Sequence, residues 1–165
     1  MAHETPEDLA ELQRLLDDSH AAAGSHLKTI FSDERRVVAA DLPGRLTGVQ
    51  VLALATVTAR GEPRVAPVDG LFYRGRFWFG SSEQSMRFRH IRARPSVSAT
   101  VTHGETFAVV VHGTAVEVDP LTADDGGFLA YLKEVYSPQW EDWYPQTPPY
   151  ARIEAKRMFT FGGVG

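Results

Sequence analysis

The sequence predicts an α+β fold, mainly β: a six-stranded antiparallel barrel with an N-terminal helical extension. Two observations predict it. Apolar residues recur at helical spacing near the N-terminus, whereas from Gly48 onward β-branched and apolar runs alternate with short turn sequences, as in hairpins. The 165 residues include 43% hydrophobic and 23% charged side chains, which suffices for a packed core and excludes wholesale disorder. We therefore expect a single domain over 1–165, with the extension over 1–45 and the barrel over 46–161.

The extension begins with a clear helix start. Thr5 offers an N-cap hydroxyl, Pro6 fits the first helical position, and acidic residues follow in the first turn. Leucines then recur at helical spacing and predict a helix that runs to about Ala23. A second short helix is predicted from Ser32 to Ala40, ended by the sequence Leu42-Pro43-Gly44.

The barrel segments have strand composition, with turn residues between them. Gly113 lies inside the fifth segment and indicates a bulge or a close backbone approach. Ser82 is predicted to cap a helix from Glu83 to about Ala93, and Thr122 to open another that reaches Tyr136. The Pro- and aromatic-rich stretch 137–149 predicts irregular structure. The predicted strands cover residues 49–58, 64–72, 76–81, 96–102, 106–119 and 150–161.

Charge is segregated along the chain. The formal net charge of −4 argues against a general nucleic-acid binder. Residues 1–41 nevertheless carry a net −5, whereas residues 60–94 carry a net +5 in which every base is arginine. Because the arginine fork suits phosphate and carboxylate oxygens, this segment is compatible either with an anionic ligand or with a solvated surface.

Several classes of chemistry lack support in the sequence. The absence of cysteine excludes disulfides, thiolate metal sites and thiol nucleophiles. There is no dinucleotide fingerprint, P-loop, H-E-x-x-H or G-x-S-x-G motif, and no pair of histidines at i, i+4 spacing. We expect no metal site and no catalytic acid–base pair. No apolar run approaches the ~20 residues of a membrane span, so we expect a cytoplasmic protein without a membrane partner.

One stretch could form an anion site. The predicted hairpin brings Arg64 and Ser81 to neighbouring strand ends, and the next helix presents Ser82 and Ser85 near its N-terminus, with Arg87 one turn on. Amides, hydroxyls and guanidinium groups together suit a phosphate. A capped helix with a solvated arginine explains the same residues. Pro67 has no N–H, so the strand beside it either leaves backbone groups free for a ligand or lies at an edge.

The string of motifs in residues 45–161 resembles the pyridoxamine 5′-phosphate oxidase-like flavin-binding split β-barrels. The motifs are Leu54–Val57, Gly61–Val68, Phe77–Ser82, Ser85–Arg87 and Arg94-Pro95. The resemblance implies a split barrel, a homodimer and FMN bound at the subunit interface. A branch of this superfamily uses the deazaflavin coenzyme F-420 instead.

The resemblance also implies which residues bind the cofactor. The strand from Arg64 would line the flavin ring and ribityl chain, the segment after Phe79 would contact the ring edge, and Ser85 and Arg87 would hold the phosphate. The expected cofactor-binding residues are Arg64, Val65, Ala66, Pro67, Val68, Gly80, Ser81, Ser82, Ser85, Met86 and Arg87.

Two departures bear on the substrate. The oxidase has an Arg-Lys pair after the helix serine, where this sequence has Met86-Arg87. The sequence also ends directly after the last strand, without the oxidase's basic C-terminal tail, so we expect a reaction other than pyridoxamine phosphate oxidation. A substrate pocket is expected at Trp140, Trp143 and Arg152, although packing of the tryptophans against the N-terminal helix or across the dimer is an equal alternative.

The sequence therefore predicts an FMN-dependent oxidoreductase acting on an unidentified small molecule, in which the flavin supplies the redox chemistry. One alternative is a reductase that uses F-420, whose acidic tail would suit the arginines at 74, 76, 89 and 92. Another is a non-catalytic flavin-binding stress protein. A nucleic-acid binder using Arg87, Arg89, Arg92 and Arg94 is the least favoured, because no helix-turn-helix partner precedes them.

Overall fold

Six strands close into an antiparallel barrel in the order β1-β2-β3-β6-β5-β4. The computed structural model describes residues 3–122, 127–139 and 148–162. Together with the helices named below, this topology confirms the predicted fold class. The strands are β1 Gln50–Val57, β2 Pro63–Tyr73, β3 Arg76–Gly80, β4 Ser96–His103, β5 Phe107–Val118 and β6 Tyr150–Gly162.

The barrel interior is filled by alternate strand residues. Leu52 and Leu54 of β1 and Val109 and Val111 of β5 are almost completely buried, as the period of two requires for a strand with one face on the core. Each such side chain contributes about 1.5–3 kcal/mol to folding by leaving water. A second cluster, in which the Trp78 ring stacks on Phe128, packs the helix α5 (Phe128–Tyr136) against β3.

The predicted first helix is confirmed as α1 (Pro6–Ala21). Thr5 and Asp8 form the capping box: the Asp8 amide donates to the Thr5 hydroxyl at 3.2 Å, and the Thr5 amide donates to the Asp8 carboxylate at 2.9 Å. Leu12 and Leu16 pack into the core. Ser19, on the same helix, accepts a hydrogen bond from the Met158 amide of β6 at 3.0 Å. The extension is thus packed directly onto the barrel.

The prediction of one helix from Ser32 to Ala40 is wrong. The segment contains only short 3-10 turns, Asp33–Arg35 and Ala39–Asp41, with extended backbone between them. The cause is tertiary: the Val37 amide donates to the Thr160 hydroxyl at 3.0 Å, and that hydroxyl donates to the Val37 carbonyl at 2.8 Å. Two further short helices flank these turns, α2 (Ser25–Ile30) and α3 (Leu42–Arg45), so the sequence Leu42-Pro43-Gly44 forms a helical turn instead of ending one.

Two helix starts differ from the prediction. Helix α4 (Met86–Ala93) begins after Ser85, whose hydroxyl accepts from the Phe88 amide at 3.2 Å, so Ser85 and not Ser82 is the N-cap. Helix α5 begins at Phe128, after Gly127 in the left-handed conformation (φ 90°), and not at Thr122. No helix in the described residues is both long and apolar enough to cross a membrane.

The N-terminal part of β2 is paired on one side. This strand pairs with β1 along Pro63–Gly70 but with β3 only along Gly70–Tyr73. Among the described residues no strand pairs with 63–69 on their second side, and Pro67 lies within this section. This unpaired section, the free edge of β2, positions the site.

Candidate functional site

A cleft of about 510 Å³ lies between the β1–β2 hairpin and α4. We call it the arginine cleft. Its volume is in the range of small-molecule sites, roughly 300–1,000 Å³. Among the described residues that line it, none is acidic. The lining residues are Leu54, Thr56, Thr58, Arg64, Val65, Ala66, Ser85, Met86, Arg87 and His90.

Six of the residues that the resemblance implied for the cofactor thus come together in one cleft. Arg64, Val65 and Ala66 come from the free edge of β2, and Ser85, Met86 and Arg87 from the N-terminal turn of α4. The loop between β3 and α4 brings the two groups of residues together, because it places the N-terminus of α4 beside the free edge of β2. The result is a basic pocket at the N-terminus of a helix, which favours an anion.

Arg87 is the cation held most firmly in this cleft. Its Nη1 donates to the Ser81 hydroxyl and its Nη2 donates to the Pro67 carbonyl, both at 3.0 Å. Both acceptors are neutral, and no carboxylate of the described residues forms an ion pair with Arg87. Burial lowers the pKa of the Arg87 guanidinium, although such a group remains charged at neutral pH. A half-buried cation held by neutral acceptors is suited to bind an external anion.

Arg64 and Ser85 already have hydrogen-bond partners in the protein. The partner of Arg64 is weakly bound, and Ser85 uses only its oxygen. The Arg64 guanidinium donates to Glu62 at 2.7 Å, but both side chains are largely exposed. Exposed pairs of this kind contribute little, about 0–1 kcal/mol, so Arg64 can exchange Glu62 for a ligand. The Ser85 oxygen accepts from the helix backbone, and its hydroxyl proton remains available as a donor.

His90 is a site residue that sequence reasoning missed. It lines the arginine cleft, and its Nδ1 lies 2.9 Å from the hydroxyl of Thr56, which is 4% exposed. Position 90 follows Arg87 by three residues, so the two share a helix face. That spacing is the signal that could have identified it. The contact with Thr56 joins positions 34 residues apart and has no signal in the sequence.

A second cleft, of about 240 Å³, adjoins the first through Ser81. We call it the tyrosine cleft. Burial raises the pKa of Tyr136 and of Tyr150, whose hydroxyls are hydrogen-bonded to each other. Both tyrosines therefore stay protonated at neutral pH, and because one hydroxyl donates to the other, the pair leaves one O–H proton for a ligand. The lining residues are Asp69, Gly80, Ser81, Ser82, Tyr136, Pro148 and Tyr150.

The tyrosine cleft gathers the expected residues Gly80, Ser81 and Ser82. Packing alone explains why glycine occupies position 80. A Cβ there would lie 2.9 Å from the Tyr150 ring, closer than Cβ atoms approach other atoms in proteins. Ser81 receives the Arg87 hydrogen bond and thereby links the two clefts. The free edge of β2 runs beside both clefts, from Arg64 to Asp69.

The remaining expected residues are placed differently. The Val68 side chain is 8% exposed and belongs to the core, so only its backbone faces the edge, and Pro67 contributes its carbonyl to Arg87. Arg152 lines neither cleft. It lies over the Trp78 ring at 5.7 Å and is paired with Glu154. The expected pocket residues Trp140 and Trp143 lie outside the described residues.

Three other arginines of segment 60–94 are paired with carboxylates. Arg74 Nε meets Asp8 at 2.9 Å, Arg76 Nε meets Glu154 at 3.2 Å, and Arg92 pairs with Glu117. Of the two interpretations that the charge left open, these contacts support neither a free anion-binding surface nor a merely solvated one at these three positions. Of the four arginines expected to suit an acidic coenzyme tail, Arg89 alone has no ion pair within the described part of the chain.

Comparisons with known proteins agree with this architecture. The conserved hypothetical protein Rv2991 of Mycobacterium tuberculosis superposes with a TM-score of 0.64 at 19% identity, over 79% of this chain and 88% of that one. An FAD-binding protein of Mesorhizobium loti gives 0.53 at 23% identity, over 76% and 95%. An F-420 reductase gives 0.51 at 19% identity, over 70% and 94%. At these identities the likeness shows the shared fold.

No curated protein matches the sequence. The family model of pyridoxamine 5′-phosphate oxidase matches residues 42–159. The match begins at α3 and includes β1 to β5, most of β6, the free edge of β2 and the Ser85–Arg87 turn. The chain therefore belongs to the pyridoxamine 5′-phosphate oxidase family.

Proposed function

We propose that this protein binds FMN along the free edge of β2 and is an FMN-dependent oxidoreductase acting on a small molecule. The observation that carries the proposal is Arg87: a half-buried guanidinium, fixed by two neutral acceptors, in a cleft whose described lining contains no acid. A phosphate is the ligand that such a group binds best, since the guanidinium fork matches its oxygens.

The two clefts divide the cofactor between them. Arg87, Arg64 and Ser85 hold the phosphate in the arginine cleft, where charge is concentrated. The ribityl chain and ring follow the backbone from Val65 to Asp69, whose second edge has no strand partner. A bound flavin supplies hydride chemistry, and the chain supplies orientation and hydrogen bonds.

We place the small-molecule substrate at the tyrosine cleft. Tyr136 and Tyr150 offer protonated hydroxyls there, and Ser81 and Ser82 add hydroxyl groups at the rim. Such a lining suits a substrate with carbonyl or similar acceptor oxygens. No residue is assigned as an acid–base catalyst.

A homodimer is part of the proposal. The outer face of the β1–β2 hairpin is mainly apolar: Val51 and Val65 on it are 65% and 66% exposed, and Asp69, opposite Val51, is a charged residue at its end. Ala53 and Ala55 continue this face toward Ser98 and Thr100 of β4. Val65 also lines the arginine cleft, so a second copy on this face would adjoin the cofactor. Exposed β-branched residues on a sheet face are typical of a contact surface.

The dimer is tested by Val51→Lys, which places a charge on that face at a residue that lines neither cleft, although its cross-strand partner Asp69 lines the tyrosine cleft. We expect the variant to sediment as a monomer and to bind FMN more weakly than the wild type. A variant that remains dimeric, or a monomer that keeps full FMN affinity, contradicts the interface.

The cofactor is tested with purified protein. We expect a flavin absorption spectrum, tighter binding of FMN than of riboflavin, and reduction of the bound flavin by a nicotinamide donor with transfer to an acceptor. Equal affinity for FMN and riboflavin would overturn the phosphate site. Colourless protein that quenches F-420 fluorescence would replace FMN by the deazaflavin, and FMN binding without turnover would remove the enzymatic part of the proposal.

A further inference from the structure

We propose that His90 is a second phosphate-binding cation of the arginine cleft and that it takes up a proton when the phosphate binds. This inference rests on the proposed function, since it concerns the same phosphate. A phosphate monoester carries a charge of about −1.5 to −2 at pH 7. Arg87 supplies one fixed positive charge, and Arg64 is shared with Glu62. His90 is the remaining ionisable side chain among the described lining residues.

The contact with Thr56 positions the imidazole. Thr56 is buried on β1, and its hydroxyl lies 2.9 Å from His90 Nδ1. The other ring nitrogen, Nε2, has no protein partner within residues 3–122, 127–139 and 148–162. One nitrogen is therefore fixed by the barrel, while the other remains for a ligand of the cleft that the ring lines.

A threonine hydroxyl suits both charge states of the ring. It can donate to Nδ1 when the imidazole is neutral, and it can accept from Nδ1–H when the imidazole is charged. The ring orientation is thus kept through protonation. In the charged form both nitrogens donate, Nδ1 to Thr56 and Nε2 to the phosphate.

The charges around His90 make its protonation depend on the ligand. Arg64 faces the cleft from β2, with Glu62 as its partner, and Arg87 lies one turn earlier on α4. Arg94 lies one turn later and donates to the Val57 carbonyl. The facing residues Thr56 of β1 and Thr58, which follows the strand, are neutral. A dianion bound between these arginines favours a positive charge on the ring beside it. Phosphate binding and proton uptake are therefore linked.

The sign of the pH dependence follows from this linkage. Since the protonated ring binds the phosphate more tightly, raising the pH through the range in which histidines titrate, about 5 to 8, weakens the His90 contribution. The FMN phosphate itself gains charge over the same range, because its second pKa is about 6. The contribution of His90 is therefore obtained from the difference in FMN affinity between the wild type and a variant with a neutral side chain at position 90.

The experiment measures FMN and riboflavin affinity by flavin fluorescence at pH 6 and pH 8. We expect His90→Gln to weaken FMN binding about tenfold at pH 6, in line with loss of a charge-assisted hydrogen bond, and much less at pH 8. Riboflavin binding should be unchanged at both values. His90→Lys carries a permanent positive charge, so at pH 6 its affinity for FMN should be close to that of the wild type. At pH 8 the His90→Lys variant should bind FMN more tightly than the wild type does.

His103→Gln is the matched control, since this histidine contacts Gln50 at the far end of β4 and lines neither cleft. Thr56→Val keeps the imidazole but frees the ring, and should give a smaller loss with the same pH dependence. Equal losses for His90→Gln at both pH values, or no loss at either, overturn the inference. If wild-type protein does not prefer FMN to riboflavin, the proposed function fails instead, and the two failures are distinguishable.

Discussion

Arginines of the same basic segment, residues 60–94, have charged partners at one place in the molecule and neutral partners at another. Arg74 and Arg76, at the β2–β3 turn, meet carboxylates of α1 and β6: Arg74 lies 2.9 Å from Asp8, and Arg76 lies 3.2 Å from Glu154. Arg87, in the arginine cleft, meets only the neutral oxygens of Ser81 and Pro67. Under the proposed function, the difference indicates that the expected anion site is marked by a half-buried cation that lies at a cleft and whose partners among the described residues are uncharged, and not by the local excess of positive charge.

The paired region braces the fold. Asp8 is 10% exposed and joins the start of α1 to the β2–β3 turn, because its carboxylate accepts from the Thr5 amide and from Arg74 at the hairpin turn. Arg74 adopts a positive φ of 50°, which is uncommon outside glycine. The ion pair with Asp8 and the packing of α1 hold this turn in place. Removing these charges should therefore affect stability and not ligand binding.

The largest expected effect is on FMN affinity. Arg87→Ala removes the fixed cation, and we expect a loss of about 1.5–3 kcal/mol in FMN binding, roughly 10- to 150-fold in Kd. The free energy of unfolding should change little, because the cation is desolvated without a counterion. Fluorescence titration and urea denaturation of the same preparations measure both quantities.

Arg89→Ala is the control for that experiment. Arg89 is exposed two residues along the same helix and has no ion pair in the described residues, so its removal changes the net charge equally. FMN affinity should stay within a factor of about two, since surface charges contribute little. Equal losses in the two variants would mean that overall charge, and not the position of Arg87, attracts the flavin.

The next effect is on stability. Asp8→Ala removes half of the capping box and the partner of Arg74, and we expect the free energy of unfolding to fall by about 1–2 kcal/mol. FMN affinity should be unchanged, because Asp8 lines neither cleft. Urea unfolding at pH 7 checks the first point and FMN titration the second. A matching loss of FMN affinity would show that the brace and the site are coupled.

Sequence reasoning succeeded where the signal was local. The six strands have short-range periodicity, Gly113 lies at the β5–β6 bulge where a Cβ would meet Glu154, and Pro67 lies on an unpaired edge. These successes depend on patterns within a few residues of each other. The six expected residues that meet in the arginine cleft were named by the family resemblance, and the local sequence indicated three of them, Arg64, Ser85 and Arg87.

Sequence reasoning failed where distant residues decide the outcome. The backbone at Val37 is extended because Thr160 binds it, not because of its neighbours. Arg74 is neutralised by Asp8, 66 residues away, and His90 is oriented by Thr56, 34 residues away. No local pattern encodes such pairs, so the net charge of segment 60–94 could not separate the arginines that pair with carboxylates from those that do not.

The smallest expected effect is the acid sensitivity of the brace, by which we mean the ion pairs Asp8–Arg74 and Glu154–Arg76. Partial burial raises the pKa of Asp8, but hydrogen bonds from Arg74 and Thr5 outweigh it, so this pKa lies below its ordinary value of 3.8. Glu154 likewise lies below 4.5, because Arg152 and Arg76 outweigh its partial burial. A carboxyl whose pKa is lower in the folded state stabilises the fold above its unfolded pKa, and this contribution is lost as the pH falls through the folded pKa.

We therefore expect the free energy of unfolding to fall below about pH 4.5, and Asp8→Asn to reduce that fall. Urea unfolding at pH 7, 4.5 and 3 measures it, with Glu105→Gln as the control because Glu105 is exposed and forms no ion pair in the described residues. Arg87→Ala should leave this pH dependence intact, since no carboxylate of the described residues pairs with Arg87. If Arg87→Ala flattened the acid transition as Asp8→Asn does, an acid would be paired with Arg87 in solution. The contrast between the brace and the cleft would then be lost.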